Sequence, residues 1–257
     1  GPGATWDDWA AAARAVAASQ GTAAAIAIDR TGHRITPGAV SYGASLIGPD
    51  GRPAPMDTGM RLFGAKLVGW AADGTLLRDT WVSASGATMQ SAAEDFANAE
   101  VPFYYSGSWQ VANLATRIGD GFDWVATGSP CGSGGCSGLA GGAALVAVRY
   151  TENPAEVARV MEFLAREDIV REFSARTLFL PAHRGVAAAG GIDWASADPR
   201  VRAALDVFVA DAARVLPAAA ALPGWKWATT CYGALASRLS QVMAGEMTLD
   251  EAWLRID

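Results

Sequence analysis

The chain is poor in reactive side chains. Its 257 residues include two histidines and three cysteines. His33 and His183 are isolated, and neither belongs to a ligand-spaced set of the kind a zinc site needs. There is no G-x-S-x-G elbow, and neither histidine falls in a recognisable triad pattern, so nothing supports acyl-transfer chemistry. The loop GSGGCSGLAGG lacks the G-x-x-x-x-G-K-[ST] order. A G-x-G-x-x-G reading from Gly132 places Ser137 at the third glycine, and the next element reads as a strand where a phosphate cradle opens a helix. The longest apolar stretches, such as Gly141–Val148, are strand-sized and far short of the ~20 residues of a membrane span. Cation clusters are missing too. Twenty Lys and Arg stand scattered against 26 Asp and Glu, a net charge of −6, which argues against nucleic acid or an anionic membrane surface as partner.

What the chain does have is tryptophan, ten of them, with small residues beside several. Most indoles of a chain this size are core. A ligand with apolar faces uses the rest, because a sugar ring presents a C–H face that stacks on indole while backbone and small polar groups meet its hydroxyls. The adjacent carboxylates Asp7/Asp8, Glu94/Asp95 and Asp250/Glu251 read as helix caps and solvated faces and not as a glycosidase pair. The chemistry points to holding a molecule, and no catalytic residue, metal or cofactor is expected.

Local signals give strands interleaved with helices, an α/β class. Thr5 with an acid three residues on opens a helix to about Ser19, with Trp6, Trp9 and Ala13 on one face. No leader pattern precedes it, as in a cut N-terminus or a gene lacking an upstream half. Ala23–Ile28 reads as a buried strand and 31–60 as Gly- and Pro-rich loop with order around 42–47. Helices follow over 58–72 and 91–98, with a strand at 101–105. Two more strands are expected at 123–126 and 143–149, the second a continuous apolar run of the fully buried kind. Asn153-Pro154-Ala155-Glu156 starts a helix to about 165. Others read at 167–174, 199–213 and 232–244, and Thr248–Glu251 is a capping box for the last; 178–180 before Pro181 reads as extended.

The candidate ligand residues come from this pattern. Trp109 follows Ser106-Gly107-Ser108 at a strand mouth, and Gly141-Gly142 leave backbone N–H groups uncovered at the start of a strand. Trp225 and Trp227 lie in the Pro-Gly-punctuated LPGWKW loop; Trp81 and Tyr42 sit in irregular segments. Trp6, Trp9, Trp70, Trp124, Trp194 and Trp253 read as structural. Cys131 and Cys136 flank three glycines in CGSGGC, a small disulfide loop that implies an oxidising compartment; Cys231, within a helical pattern, reads as a buried thiol.

In their order and spacing these segments resemble the extracellular solute-binding proteins of carbohydrate ABC importers, the family that includes maltose-binding protein. The matching features are the TWDDW helix start, the run from Phe96 to the GSW of Trp109, and the GG-strand-Asn-Pro-helix of 141–165. LPAHRG at 180–185, the DPRVRAAL helix and the closing helix pair around AGEMTLDEA complete the match. The resemblance implies a periplasmic-binding-protein-like fold (type II), a two-lobed clamp that closes on a sugar without catalysis, with ABC permease subunits as partners and a periplasmic or cell-surface location. By the same resemblance Trp109 is a stacking aromatic and 221–232 a further ligand-contacting stretch. It also implies that most of the N-terminal lobe is missing: 4–143 and 184–257 correspond to the C-terminal lobe, and 144–183 to a segment that packs into the other. Such a chain would bind sugar weakly or not at all. The apolar face of its 154–174 helices would lie open, and the alternative reading is an orphan lobe that self-associates through that face.

Overall fold

Thr5 accepts a hydrogen bond from Asp8 N while the Asp8 carboxylate reaches back to Thr5 N at 3.0 Å, and this reciprocal box starts α1 (Trp6–Gln20), which Gly21 ends in a left-handed turn. Thr5→Ala should cost about 1 kcal/mol in urea unfolding. Residues 3–82, 91–142 and 144–256 are described in this computed structural model. After α1 come β1 (Ile26–Ile28), α2 (Gly32–Ser41), α3 (Thr58–Ala72), α4 (Asp79–Val82), α5 (Ala92–Ala97) and β2 (Phe103–Tyr105). A 3-10 turn (Ser108–Gln110) leads into α6 (Val111–Ile118), then β3 (Cys131–Gly132) and β4 (Gly135–Cys136). The rest is helical: α7 (Pro154–Leu164), α8 (Glu167–Thr177), α9 (Arg184–Ala189), α10 (Pro199–Ala212), α11 (Pro217–Ala220), α12 (Ala228–Ala244) and α13 (Leu249–Leu254).

The chain divides into two units. The first comprises Gly1–Gly107, Thr127–Ala140 and Asp211–Asp257. At its centre β1 and β2 pair in parallel, Ile26 opposite Phe103 and Ile28 opposite Tyr105; β1 is buried along its whole length. Around them Trp6, Phe63, Leu67, Trp81, Leu235, Leu239 and Trp253 form the core. The Trp6 ring lies 4.8 Å from Phe63 and 5.1 Å from Tyr105, and its Nε1 donates to Ser41 Oγ at 3.0 Å.

Helix α2 replaces the first part of the expected 31–60 loop. Its Gly32, Pro37 and Gly38 read as breakers, yet nearly every residue of the helix is buried, so tertiary packing overrides local propensity. The glycines let it pack closely. A Cβ on Gly38 would stand 2.1 Å from the Phe63 ring, and one on Gly32 would stand 2.3 Å from Tyr232 Cα. Cys131 and Cys136 form the expected disulfide across β3 and β4. The hairpin is tied down by Gly134 N donating to Ser41 O and Cys131 N to Ala4 O. Cys231 lies half-buried in α12, and burial pushes its thiol pKa up.

The second unit comprises Ser108–Ala126 and Gly141–Ala210. Arg200 ties it together, donating to Gly119 O at 2.9 Å, Phe122 O and the Asp198 carboxylate. Trp194 Nε1 donates to Asp206. Three expectations fail here. Residues 123–126 and 144–149 are not strands: a continuous apolar run becomes a buried strand only where neighbours pair its edges and cover its faces. Among the described residues no strand pairs with 144–149, and Leu145, Val146 and Val148 stay exposed. Leu178 is not extended either; at φ +61° it caps α8, its N–H bonded to Ser174 O.

Candidate functional site

In an open parallel arrangement the carboxyl ends of the strands are where loops leave and ligands settle. Past β1 comes Asp29, and past β2 comes Ser106, so both reach the same edge. Tyr104 Oη donates to Asp29 Oδ1 at 2.6 Å and Ser106 Oγ to Asp29 Oδ2 at 2.6 Å, while Arg34 Nε approaches Oδ2 at 3.2 Å. One carboxylate therefore fixes a tyrosine and a serine from β2 and its exit and an arginine from α2.

Next along the edge lies His33, at the start of α2 behind the Thr31 cap. Arg34 Nη1 stands 3.2 Å from His33 Nδ1. A guanidinium only donates, so Nδ1 accepts from it, and the ring is also hydrogen-bonded to the Ala140 backbone. The Tyr232 ring meets His33 edge-on at 5.8 Å. Burial, reinforced by the Arg34 charge, holds the His33 pKa below its usual 6.5. Burial also pushes the Tyr232 phenol up to about 12.

A depressed histidine pKa gives stability that is complete above the unfolded value and is lost as pH falls through the folded one. The thermal midpoint should accordingly drop as pH is lowered from about 6.5, and His33→Gln should flatten that slope. A melting series against pH on both proteins checks it.

The candidates named above part company in this structure. Trp109 stands in the turn before α6 with 57% of its surface exposed. Gly141 and Gly142 are exposed in chain without regular structure, Gly142 at φ +129°; they do not open a strand, which removes the sheet-edge argument made for them. Trp227 is exposed, with Lys226 Nζ 5.3 Å from its ring. Trp225 is half-buried, its Nε1 spent on Gly51 O at 2.8 Å. Tyr42 is half-buried and tilted against Phe63. Trp81 requires a correction: its ring is fully enclosed in the core and offers no stacking face. Trp6, Trp70, Trp124, Trp194 and Trp253 are buried, as expected of structural indoles.

Sequence reasoning missed Asp29, His33 and Arg34. The signal was present, since a charged Asp-Arg pair directly follows a wholly apolar strand. The 31–60 segment read as loop, however, and hid the helix that turns Arg34 back onto Asp29 and sets His33 beside it.

Residues 2–203 match the family described as bacterial extracellular solute-binding protein. The chain belongs to that family. Its members capture solutes and are not catalysts. No curated protein matches the chain. Among solved structures it is similar to the sugar-binding protein MalE from Xanthomonas citri, at 19% identity and a TM-score of 0.75, covering 99% of this chain and 62% of that one. It is similar to the GacH receptor of Streptomyces glaucescens, a structure that includes complexes with acarbose, at 13% identity and a TM-score of 0.75, over 100% and 63%. The cyclic alpha-maltosyl-1,6-maltose binding protein from Arthrobacter globiformis is a third, at 19% identity and a TM-score of 0.70, over 100% and 63%. The fold is thus that of type II periplasmic-binding proteins. The chain spans somewhat less than two thirds of the length of these structures. Among its described residues no helix is long and apolar enough to cross a membrane.

Proposed function

We propose that the chain is the carbohydrate-capturing part of an ABC sugar importer, a binding subunit that presents its ligand to permease subunits outside the cytoplasm, in the periplasm or on the cell surface. The observation that carries this reading is the Trp109 indole, a large apolar ring left 57% exposed where solvent exposure costs free energy. A flat ring left largely open to solvent suits the C–H face of a sugar. Within the first unit, taken by itself, the Asp29–Tyr104–Ser106 edge carries hydroxyls able to meet those of a sugar, and Trp227 is another exposed ring. The solutes named for the similar structures are sugars or sugar mimics, which agrees. The Cys131–Cys136 disulfide suits an oxidising compartment.

In the same reading, 4–143 and 184–257 make one lobe of a clamp and 144–183 is the stretch that packs into the other. Half a clamp holds ligand weakly, so a dissociation constant near 1 mM or above is expected, about −4 kcal/mol or less. Calorimetric titration with mono- and oligosaccharides tests this. Heat from at least one sugar, lost in Trp109→Ala, supports it, and silence across the panel at tens of millimolar refutes it.

A second reading rests on exposed apolar surface. Val160, Phe163 and Phe173 stand 56%, 49% and 56% exposed on α7 and α8, a combination that marks an interaction face. An orphan lobe would dimerise there. Light scattering after size exclusion separates the readings: a concentration-dependent dimer abolished by Phe163→Glu favours the second, and a monomer favours the first.

A further inference from the structure

Within the first unit, the two halves of the Cys131–Cys136 disulfide have unlike surroundings. Cys131 is 7% exposed, and Arg214 Nη2 stands 3.8 Å from its Sγ. Cys136 is half-buried, two residues beyond the exposed tip Ser133-Gly134. We propose that this disulfide is a thiol-exchange site, with Cys136 the sulfur that an incoming small thiol attacks and Cys131 the one that leaves. The leaving sulfur departs as a thiolate, and exchange is faster the lower the pKa of that thiol. A neighbouring arginine favours the anion. Arg214 can serve both neighbours at once, because its carboxylate partner is already well supplied with donors. Asp211 accepts from Ser129 N at 3.1 Å and from Ser129 Oγ at 2.6 Å, and Arg214 Nη1 lies a longer 3.6 Å away.

The incoming thiolate's electron pair forms the new S–S bond at Cys136. The old bond breaks as its pair leaves on Cys131, so the products are a mixed disulfide and the Cys131 thiolate beside Arg214. A dithiol carries the reduction through. Its second thiolate attacks its own sulfur in the mixed disulfide and closes it to a disulfide, while Cys136 leaves and takes a proton from water. Three hydrogen bonds hold the hairpin and its exit independently of the sulfurs: Cys131 N to Ala4 O, Gly134 N to Ser41 O and Leu216 N to Ser137 Oγ. The opened hairpin therefore stays seated, its two sulfurs remain close, and the exchange is reversible. An oxidising compartment keeps the bond closed until such a thiol reaches it.

This chemistry is independent of sugar capture, and its test reads the sulfurs alone. Folded Cys231→Ala protein, which keeps only these two cysteines, is treated with glutathione, quenched with acid at early times and digested. Mass spectrometry should find the glutathione on Cys136. In the same background Arg214→Gln should slow opening by dithiothreitol about threefold, and Arg214→Lys should restore most of the rate. After reduction, alkylation of Cys131 by iodoacetamide should set in at lower pH than that of Cys136, and Arg214→Gln should close the gap. Circular dichroism should be the same before and after reduction. Glutathione found first on Cys131 overturns the proposal, as does an opening rate unchanged in Arg214→Gln. A bond that dithiothreitol opens only in urea, or a reduced protein that unfolds, overturns it too, since the disulfide would then be a structural tie.

Discussion

Trp109→Ala should remove sugar-dependent heat and fluorescence change while leaving the thermal transition within a few degrees. The indole is 57% exposed in the turn Ser108–Gln110, so truncation gives back little buried area, and surface substitutions of this kind fall within about 0.5 kcal/mol of neutral. The stacked face of a sugar is worth more than that. Trp109→Phe keeps a smaller ring and should recover part of the signal, which a general loss of fold would not permit. Should Trp109→Ala instead lower stability by several kcal/mol, the ring would be core and the stacking assignment would fail.

Trp6→Ala should act in the opposite way, costing about 3–5 kcal/mol of stability in denaturant unfolding. Its ring has no exposed surface and packs on Trp9, Phe63, Trp70 and Tyr105. The change also takes from Ser41 Oγ the donor that reaches it at 3.0 Å. Ser41 in turn presents its carbonyl to Gly134 of the disulfide hairpin, so the loss should spread to that loop. Sugar binding measured where the variant is still folded should survive. The midpoint shift in urea at unchanged slope gives the stability directly, and a cost below about 1 kcal/mol would mean that the cluster repacks.

The contrast between these two indoles was legible in the sequence. Trp6 follows a helix cap and falls on the apolar face with Trp9 and Ala13, whereas Trp109 follows three small residues. Caps and short-range periodicity likewise placed α1, α3, α7 and α13 closely, because their determinants lie within a few residues of one another. The failures share a different cause. Helix α2 depends on Phe63 and Tyr232, residues far away in the chain that fit only against Gly38 and Gly32. The 144–149 run is apolar enough for a strand and lacks a pairing neighbour among the described residues. Trp81 reads as irregular surface because nothing local reveals that Leu235 and Leu239 share its core. The Asp29 edge was hidden for the same reason, since its members come from β1, α2 and β2 and meet only after the strands pair.

Hydrogen exchange in the presence of saturating oligosaccharide tests the central claim most directly, because it maps where the ligand sits without a substitution. Slower exchange is expected over 108–111, the turn that carries Trp109. Unchanged exchange there while calorimetry shows the sugar bound would contradict the account.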